Sequence, residues 1–321
     1  MFFSLLIYLG GDKMMQYDET VQIDEKARAW ADIKDAHKTK KVLVAQAIGI
    51  EPFQIADKKI ECLKLSYHGI YGYLPKQLID NYEFKGLTHF LGKYFEFVVE
   101  NISFENEKQI FLADRIKALD IMARKFWKTA SEGQTYPAFV RGIDQYNLYL
   151  LVEGVPTTLH RTEFSYSFVE DLREEVEIGD TVEVKILGLV KPNEKYFPNP
   201  SDPDSEELTA GEHGLLQVSA RVLSEDPWNN INEFQVNGIY SGVISKIHLD
   251  HGLFIILEGG LSVRTNFPPA SPNFRVGERV SVKIMSIEAK DRKIKAITIV
   301  PKRAIGKKSQ NASSVRRGIA R

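Results

Sequence analysis

Hydrophobic and polar positions alternate in short runs over residues 238–300, and this is the clearest pattern in the chain. Each run is rich in β-branched residues, and Gly, Pro, Asp or Asn separates it from the next. Alternation is typical of half-buried strands, because successive side chains of a strand point to opposite faces. The segment predicts a small antiparallel barrel with strands at residues 238–247, 250–257, 260–264, 276–284 and 293–299.

The same order of runs occurs twice more upstream, which predicts two further barrels. The first begins near residue 41, and its runs are 42–50, 60–67, 72–78, 91–99 and 109–115. The second begins near residue 135, and its runs are 139–143, 146–152, 158–164, 178–186 and 215–219. We therefore predict a mainly β fold, with three tandem five-stranded barrels joined by a helical spacer and loops.

Two segments show helical spacing of apolar residues instead. Residues 24–40 are rich in helix formers, with Trp30, Ile33 and Ala36 or His37 on one side. Residues 114–131 form a second amphipathic pattern that ends near Gly133 and predicts a spacer helix between the first two barrels. Its predicted apolar face consists of Ile116, Leu119, Met122, Phe126 and Ala130.

The remaining segments have the composition of loops and linkers. Residues 191–214 contain four prolines and a run of acids, which predicts a loop inserted into the second barrel. The predicted organisation is an N-terminal segment with a short helix (1–40), barrel one (41–114), a helical linker (115–134), barrel two (135–224), a linker (225–237), barrel three (238–300) and a disordered basic tail (301–321).

The first nine residues are apolar but much shorter than the roughly 20 residues that a bilayer requires. They also lack the basic start and the small-residue cleavage site of a signal peptide. We therefore predict no membrane association and a cytoplasmic location. Gly10 and Gly11 lie just before Met14 and Met15, so our hypothesis is that translation natively starts at one of these methionines and that residues 1–13 are not natural sequence.

Charge is divided unevenly along the chain, although the net charge is only −1. Residues 236–321 contain 16 Lys or Arg and 5 Asp or Glu, whereas residues 1–235 contain 26 and 38. A basic C-terminal part on an acidic body is the distribution expected where one end of a protein holds phosphates. The alternative is a solvated basic tail without a partner.

Candidate chemistry for catalysis is absent from the sequence. It contains no phosphate-binding loop motif, no His-Glu-x-x-His and no Cys-x-x-Cys. The single cysteine, Cys62, excludes an intramolecular disulfide and is interpreted as a core residue of a strand. His248, Asp250 and His251 suggest no complete metal site, so we predict no metal, no cofactor and no enzymatic activity.

Several motifs resemble the S-one-type RNA-binding domain, the OB-fold repeat of the largest small-subunit ribosomal protein of bacteria. In barrel three they are Gly-x-x-x-Gly-Val (238–243), Asp-x-Gly-x-Phe (250–254) and Val-Gly-Glu-x-Val-x-Val-Lys-Ile (276–284). In barrel two, Thr158 to Phe164 and Ile178 to Ile186 match the corresponding parts. The resemblance implies OB-fold barrels that bind RNA, with the base-stacking aromatic residues on their second strand.

This resemblance also implies which residues bind RNA. In barrel three, His251 and Phe254 take the two aromatic positions, Arg264 takes the position of a histidine, and Lys293 takes that of a basic residue on strand five. In barrel two, the corresponding residues are Tyr146, Tyr149 and His160. The basic residue expected at the start of its fifth strand is replaced by Leu215.

Barrel one departs further from the pattern. Cys62, Leu63 and Lys64 stand where the family has its stacking aromatics, so we interpret this barrel as degenerate, serving as a scaffold or a partner-binding module. Its tyrosines, Tyr67, Tyr71 and Tyr73, could stack bases or could be core and cross-strand residues.

The sequence thus predicts a non-catalytic protein that binds single-stranded RNA, such as mRNA or RNA of the ribosome, in translation or mRNA handling. One alternative is a single-stranded DNA-binding protein, because an OB groove tolerates either sugar. Another is an adaptor whose barrels bind protein, with the basic tail as its only contact to nucleic acid.

Overall fold

The computed structural model describes residues 19–55, 58–105, 108–198, 206–268 and 273–299. The hypothesis about residues 1–13 and the prediction of a disordered tail at 301–321 lie outside these residues. The described chain is mainly β, as predicted, and its strands form two closed five-stranded barrels, one five-stranded sheet and one two-stranded sheet. None of its described helices combines the length and the apolar character needed to cross a membrane.

The first barrel is closed, and its strands are β1 (Leu43–Ile55), β2 (Lys58–Tyr67), β3 (Ile70–Pro75), β4 (Tyr94–Glu105) and β5 (Lys108–Asp114). Their order is β1-β2-β3-β5-β4, and β4 pairs again with β1. All neighbours are antiparallel except β3 and β5. Phe97 and Phe111 stack in its core with ring centroids 5.0 Å apart.

Helix α1 (Glu19–Thr39) precedes this barrel. The apolar side chains predicted on one face of this helix pack against barrel one: Ile33 and Ala36 are fully buried in its core, together with Ala29. One turn of helix separates such positions by three or four residues, so they lie on one face. The remaining side chains described on this helix are mostly exposed.

Helix α2 (Arg115–Thr129) follows β5 directly. It begins at Asp114, whose carboxylate accepts a hydrogen bond of 3.0 Å from the backbone N–H of Lys117, a standard N-cap. Leu119 and Phe126 of the predicted face are buried, together with Ala118 and, unexpectedly from the pattern, Arg115. The helix is thus amphipathic, but its first buried side chain is charged.

The second sheet has five strands, β6 (Thr135–Ile143), β7 (Asn147–Val152), β8 (Val155–His160), β9 (Thr181–Val190) and β12 (Leu215–Ser219). Their order is β12-β9-β6-β7-β8, with no backbone ladder between the end strands. The Thr157 hydroxyl donates to the Leu216 carbonyl over 2.6 Å and bridges the remaining gap. This sheet is therefore an almost closed barrel.

Two irregular segments lie between the strands of the second sheet. A short helix, α3 (Arg161–Phe164), follows β8. Within the segment 191–214, predicted as a loop, β10 (Lys195–Tyr196) and β11 (Leu208–Thr209) pair as a two-stranded antiparallel sheet. Residues 199–205 of that segment are outside the described part of the chain.

The third barrel is closed and consists of β13 (Ile239–His248), β14 (Gly252–Leu257), β15 (Ser262–Thr265), β16 (Arg279–Glu288) and β17 (Lys293–Ile299). The order β13-β14-β15-β17-β16 repeats that of the first barrel. Between the parallel strands β15 and β17, the buried hydroxyls of Thr265 and Thr298 share a hydrogen bond of 2.7 Å.

The described residues form two compact units. One contains those up to Leu159 and Asp171–Val218, and thus includes barrel one, α2 and most of the second sheet. The other contains His160–Glu170 and the residues from Ser219 onward. The short segment His160–Glu170 therefore packs with barrel three in the second unit.

Candidate nucleic-acid interface

Strands β14 and β15 and the turn before β14 carry three of the predicted barrel-three residues. Phe254 and Arg264 are directly paired across the two strands. His251 lies at the turn that precedes β14, where the His248 ring nitrogen accepts hydrogen bonds of 3.2 Å from the backbone N–H groups of Asp250 and His251. Gly252 has a φ of +86°, a conformation that favours glycine and lets the chain enter β14.

His251, Phe254 and Arg264 line one cavity of about 510 Å³ in the second unit. Arg264 is exposed and forms no ion pair with any residue that the structure describes. The rings of His251 and His248 stack with centroids 4.4 Å apart. An aromatic face next to an unpaired guanidinium can hold a base and a phosphate at once.

Strand β17 contributes basic residues next to this face. Lys293 and Lys295 are both exposed, since the strand alternates between the core and solvent. The residue opposite Arg264 in the parallel pairing of β15 and β17 is Lys295, whereas Lys293 pairs with Glu288. The Lys295 ammonium donates to Glu288 over 2.8 Å. The predicted Lys293 does not line the cavity. The alternation of buried and exposed residues along β17 puts Lys295 on the same exposed face as Lys293, so this pattern could also have indicated Lys295.

The segment His160–Glu170 covers part of the barrel-three face. The Phe168 ring stacks on the Phe254 ring, with centroids 5.3 Å apart and planes only 7° from parallel. The carboxylate of Glu170 pairs with the Lys246 ammonium at 3.0 Å and with the His248 ring at 3.2 Å. The hydrogen bond from Lys246 is the main cause that holds the pKa of Glu170 below its ordinary value.

Two arginines outside the barrel strands complete the cavity wall. Arg221 pairs with Glu163 at 2.9 Å, and Arg292 pairs with Asp226. Both guanidinium groups lie over the Tyr166 ring, 5.3 Å and 5.6 Å from its centroid. Such cation–π and ion-pair contacts fix the guanidinium planes in position. Sequence reasoning did not indicate these residues, because they come from segments without a motif.

In barrel two, Tyr146 lies at the turn between β6 and β7, and Tyr149 lies on β7. The Asp144 carboxylate accepts from the backbone N–H of Tyr146 at 2.7 Å and from the Tyr149 hydroxyl at 2.9 Å. These bonds lower the pKa of Asp144 to about 2, with the Tyr146 N–H as the largest cause. Tyr146 is exposed, and the Tyr149 ring lies 6.4 Å from that of Tyr82 in barrel one.

His160 ends strand β8 and caps α3. Its side chain accepts a hydrogen bond from the backbone N–H of Thr162 at 3.4 Å, and its Nδ1 lies 2.9 Å from the Thr162 hydroxyl. The ring is exposed. His160 does not line the cavity of the second unit.

In barrel one, the residues at the aromatic positions do not present a stacking surface. Cys62 and Leu63 are fully buried, and Lys64 pairs with Glu51 at 2.9 Å. Tyr73 is also buried and stacks on Phe53 with centroids 4.3 Å apart. Within the part of the chain that the structure describes, no cluster of three His, Cys, Asp or Glu side chains could hold a metal ion.

No protein-family model matches the chain. Over 241 residues, or 71% of its length, it is 23% identical to small ribosomal subunit protein bS1 of Pseudomonas aeruginosa. A match to bS1 of Streptococcus pneumoniae has 22% identity over 269 residues, or 78% of the chain. The chain is similar to bS1. The predicted resemblance to the largest small-subunit ribosomal protein is thereby confirmed.

A further relative is 4-hydroxy-3-methylbut-2-enyl diphosphate reductase of Clostridium acetobutylicum, 26% identical over 242 residues. The matched parts make up 34% of the reductase, 39% of the Pseudomonas bS1 and 62% of the Streptococcus bS1. The bS1-like chain thus spans only part of each relative.

Two solved structures are also similar. GSP13 from Bacillus subtilis is 24% identical and covers 30% of this chain and 58% of its own, with a TM-score of 0.21. A multidomain protein with nucleic acid binding domains from Streptococcus pneumoniae is 10% identical and covers 81% of this chain and 73% of its own, with a TM-score of 0.18.

Proposed function

We propose that the bS1-like chain is a non-catalytic protein that binds single-stranded RNA, and that barrel three makes the main contact. The observation that carries this proposal is the position of Phe254, Arg264 and His251 around one cavity on strands β14 and β15. An OB barrel binds a single strand by combining aromatic stacking surfaces with cations that follow the backbone. The basic balance of residues 236–321 supports the same end of the chain.

Barrel two is the second proposed contact. Tyr146 is exposed at the β6–β7 turn, and Tyr149 and His160 complete the predicted set. The net acidity of residues 1–235 opposes a strong contact there, because phosphate binding depends on local positive charge. Barrel one, with Cys62 and Leu63 in its core, fits the role of a scaffold or partner-binding module.

The cellular role that we propose is translation or mRNA handling in a bacterial cytoplasm. The similarity to small ribosomal subunit protein bS1 supports this role, since that relative is by name a protein of the ribosome. The reductase activity named for the Clostridium relative is not carried over, because the match covers 34% of that protein.

Fluorescence anisotropy with an unstructured RNA strand and the DNA strand of the same sequence tests the proposal. Binding should favour RNA and weaken steeply with salt, because bound cations displace counterions from the phosphates. Equal affinity for the two strands would favour the DNA-binding alternative. If neither strand binds in a salt-dependent way, nucleic-acid binding is refuted, and a protein-binding adaptor becomes the favoured function.

Arg264→Ala and Arg279→Ala form a matched pair for the same assay. Each removes one exposed guanidinium from barrel three, but Arg279 lies on β16, outside the cavity, and is 3.6 Å from Glu258. Arg264→Ala should flatten the slope of log affinity against log salt by about 0.7, the value for one lost contact to a single strand. Arg279→Ala should leave the slope unchanged, and equal slopes for the two variants would contradict the assignment.

A further inference from the structure

The cavity in the second unit has a lining that barrel three alone does not provide. Four of its lining residues are arginines, namely Arg161, Arg221, Arg264 and Arg292, and none is Asp or Glu. The carboxylates that pair with two of these arginines, Glu163 and Asp226, lie outside the lining. The charged groups that face the cavity are therefore positive, even though two of the four arginines are neutralised by carboxylates that lie outside its lining.

Aromatic rings surround the same space. Tyr166, Phe168, Trp228 and Phe254 all contribute to the lining. Arg161 lies 5.6 Å from the centroid of Phe168, and Arg292 lies 5.7 Å from that of Trp228, so each of these two guanidinium groups lies next to a ring of the lining. Unpaired RNA bases stack on aromatic rings and on arginine planes, and phosphates bind guanidinium groups.

Phe168 changes which ring a base can reach. One face of Phe254 is partly covered by Phe168, since the two rings form an offset parallel stack with centroids 5.3 Å apart. Phe168 itself remains 51% exposed. A base that continues this stack meets Phe168, and Phe254 supports the ring from below. The volume of about 510 Å³ is within the range of about 300 to 1,000 Å³ that is usual for pockets of small ligands.

We propose that this cavity is a pocket for one unstacked nucleotide of a single-stranded RNA, in which Phe168 presents the stacking surface to the base and Arg264 binds the adjoining phosphate. This inference rests on the proposed RNA binding by barrel three, and it adds residues of the segment His160–Glu170 to the site. The ion pairs of Glu170 with Lys246 and His248 hold that segment against the barrel.

Tyr166 and the two arginines on its ring have a positioning role in this pocket. Arg221 and Arg292 are oriented by Glu163 and Asp226 and share the Tyr166 ring. Their guanidinium groups are therefore ordered before a ligand arrives, which reduces the entropy lost on binding. The pocket is preorganised for an anion next to a planar ring.

Phe168→Ala in the full-length chain tests the proposal by anisotropy with a single-stranded RNA. The variant should bind about 5- to 150-fold more weakly, the effect of losing one stacked base. Phe168→Tyr keeps the ring and should restore most of the affinity. Phe197→Ala is the matched control, since Phe197 is also 51% exposed but does not line the cavity. It should bind as the unchanged chain does.

The direction of the change separates the possible outcomes. A higher RNA affinity of Phe168→Ala would show that Phe168 competes with the base for Phe254. An unchanged affinity would show that no base contacts the Phe168 ring. Either result would refute the proposed nucleotide pocket. If Arg264→Ala weakens binding while Phe168→Ala does not, the proposed RNA binding stands and only the pocket fails. If the unchanged chain does not bind RNA, the proposed function itself fails.

A second measurement uses Trp228, which lines the cavity. In a variant with Trp30→Phe and Trp127→Phe, Trp228 is the only one of the three tryptophans that remains. Its fluorescence should change on titration with RNA, with the same midpoint as the anisotropy. Binding that leaves the emission of Trp228 unchanged would contradict a nucleotide in this cavity.

Discussion

Replacing Arg115 by methionine should destabilise the first unit substantially. The Arg115 side chain is 1% exposed at the start of α2, and its Nη1 donates to the Ile79 carbonyl over 3.1 Å. The guanidinium pairs with Glu96 at 3.4 Å and lies 4.6 Å from the Phe139 ring centroid. Burial is the main cause that lowers the pKa of this arginine from its ordinary value, so the fold tolerates a charge that is costly to desolvate.

The magnitude follows from what remains after the substitution. Removing one partner of a buried ion pair usually costs about 3 to 5 kcal/mol, because the other charge is left uncompensated. Asp80, 3.9 Å from Arg115, keeps the Arg141 guanidinium at 3.3 Å and the backbone N–H of Tyr82 at 3.1 Å. Glu96 is 31% exposed and regains water. We therefore expect a loss of about 3 kcal/mol, at the lower end of that range.

Urea unfolding followed by tryptophan fluorescence measures this loss. In a Trp228→Phe background, the remaining tryptophans, Trp30 and Trp127, both report on the first unit. The midpoint of unfolding should fall by about 1 to 3 M, given the usual dependence of stability on urea. Arg124→Met on the same helix is the control, since Arg124 is exposed. A cost below about 1 kcal/mol, or one equal to that of the control, would refute the assigned role of the buried charge.

Three further predictions concern other parts of the chain. Burial raises the pKa of the Cys62 thiol to about 11, so iodoacetamide at pH 8 should alkylate Cys62 at least about 100-fold more slowly in the native protein than in the unfolded protein. Equal alkylation rates would contradict the burial of the thiol. Since the pKa of Asp144 is lowered to about 2, the ionised carboxylate should stabilise its turn fully above the pKa of the unfolded state, about 3.9, and this stabilisation should be lost as the pH falls toward 2. An NMR titration of the Asp144 carboxyl carbon measures this pKa, and a midpoint near 4 would contradict the prediction. In urea unfolding, Gly252→Ala should destabilise barrel three more than Gly277→Ala does. Both glycines have a positive φ, but of the two only Gly252 would place the new Cβ 2.2 Å from a backbone oxygen. Equal losses of stability would exclude this steric contribution.

Particular elements show how far local pattern predicts the fold. Alternation located the strands that carry Phe254 and Arg264, and the spacing of Leu119 and Phe126 located α2, because both patterns depend only on which face of an element is buried. The pattern did not indicate the small sheet of β10 and β11. Proline and acidic residues suggested a loop there, and short strands carry little periodic signal.

The candidate site was predictable in part, for the same reason. His251, Phe254 and Arg264 were identified from motif positions, and the strand pairing that brings them together follows from barrel topology. Phe168, Arg221 and Arg292 belong to no motif, and their positions around the cavity depend on contacts between segments distant in sequence. Lys295 stands beside Arg264 only because β15 and β17 pair in parallel at that register.

The amino-acid sequence by itself determined the order of the barrel strands and of the two long helices, the uneven charge and the resemblance to the S-one-type domain, because each of these is a property of residues near one another in the chain. Only the tertiary structure decided that barrel two lacks a backbone ladder between β8 and β12 and that Arg115 is buried beside two carboxylates. It also decided that Phe168 stacks on Phe254. These features depend on packing between distant segments, where the shapes and charges of side chains select one partner among many that the sequence would allow.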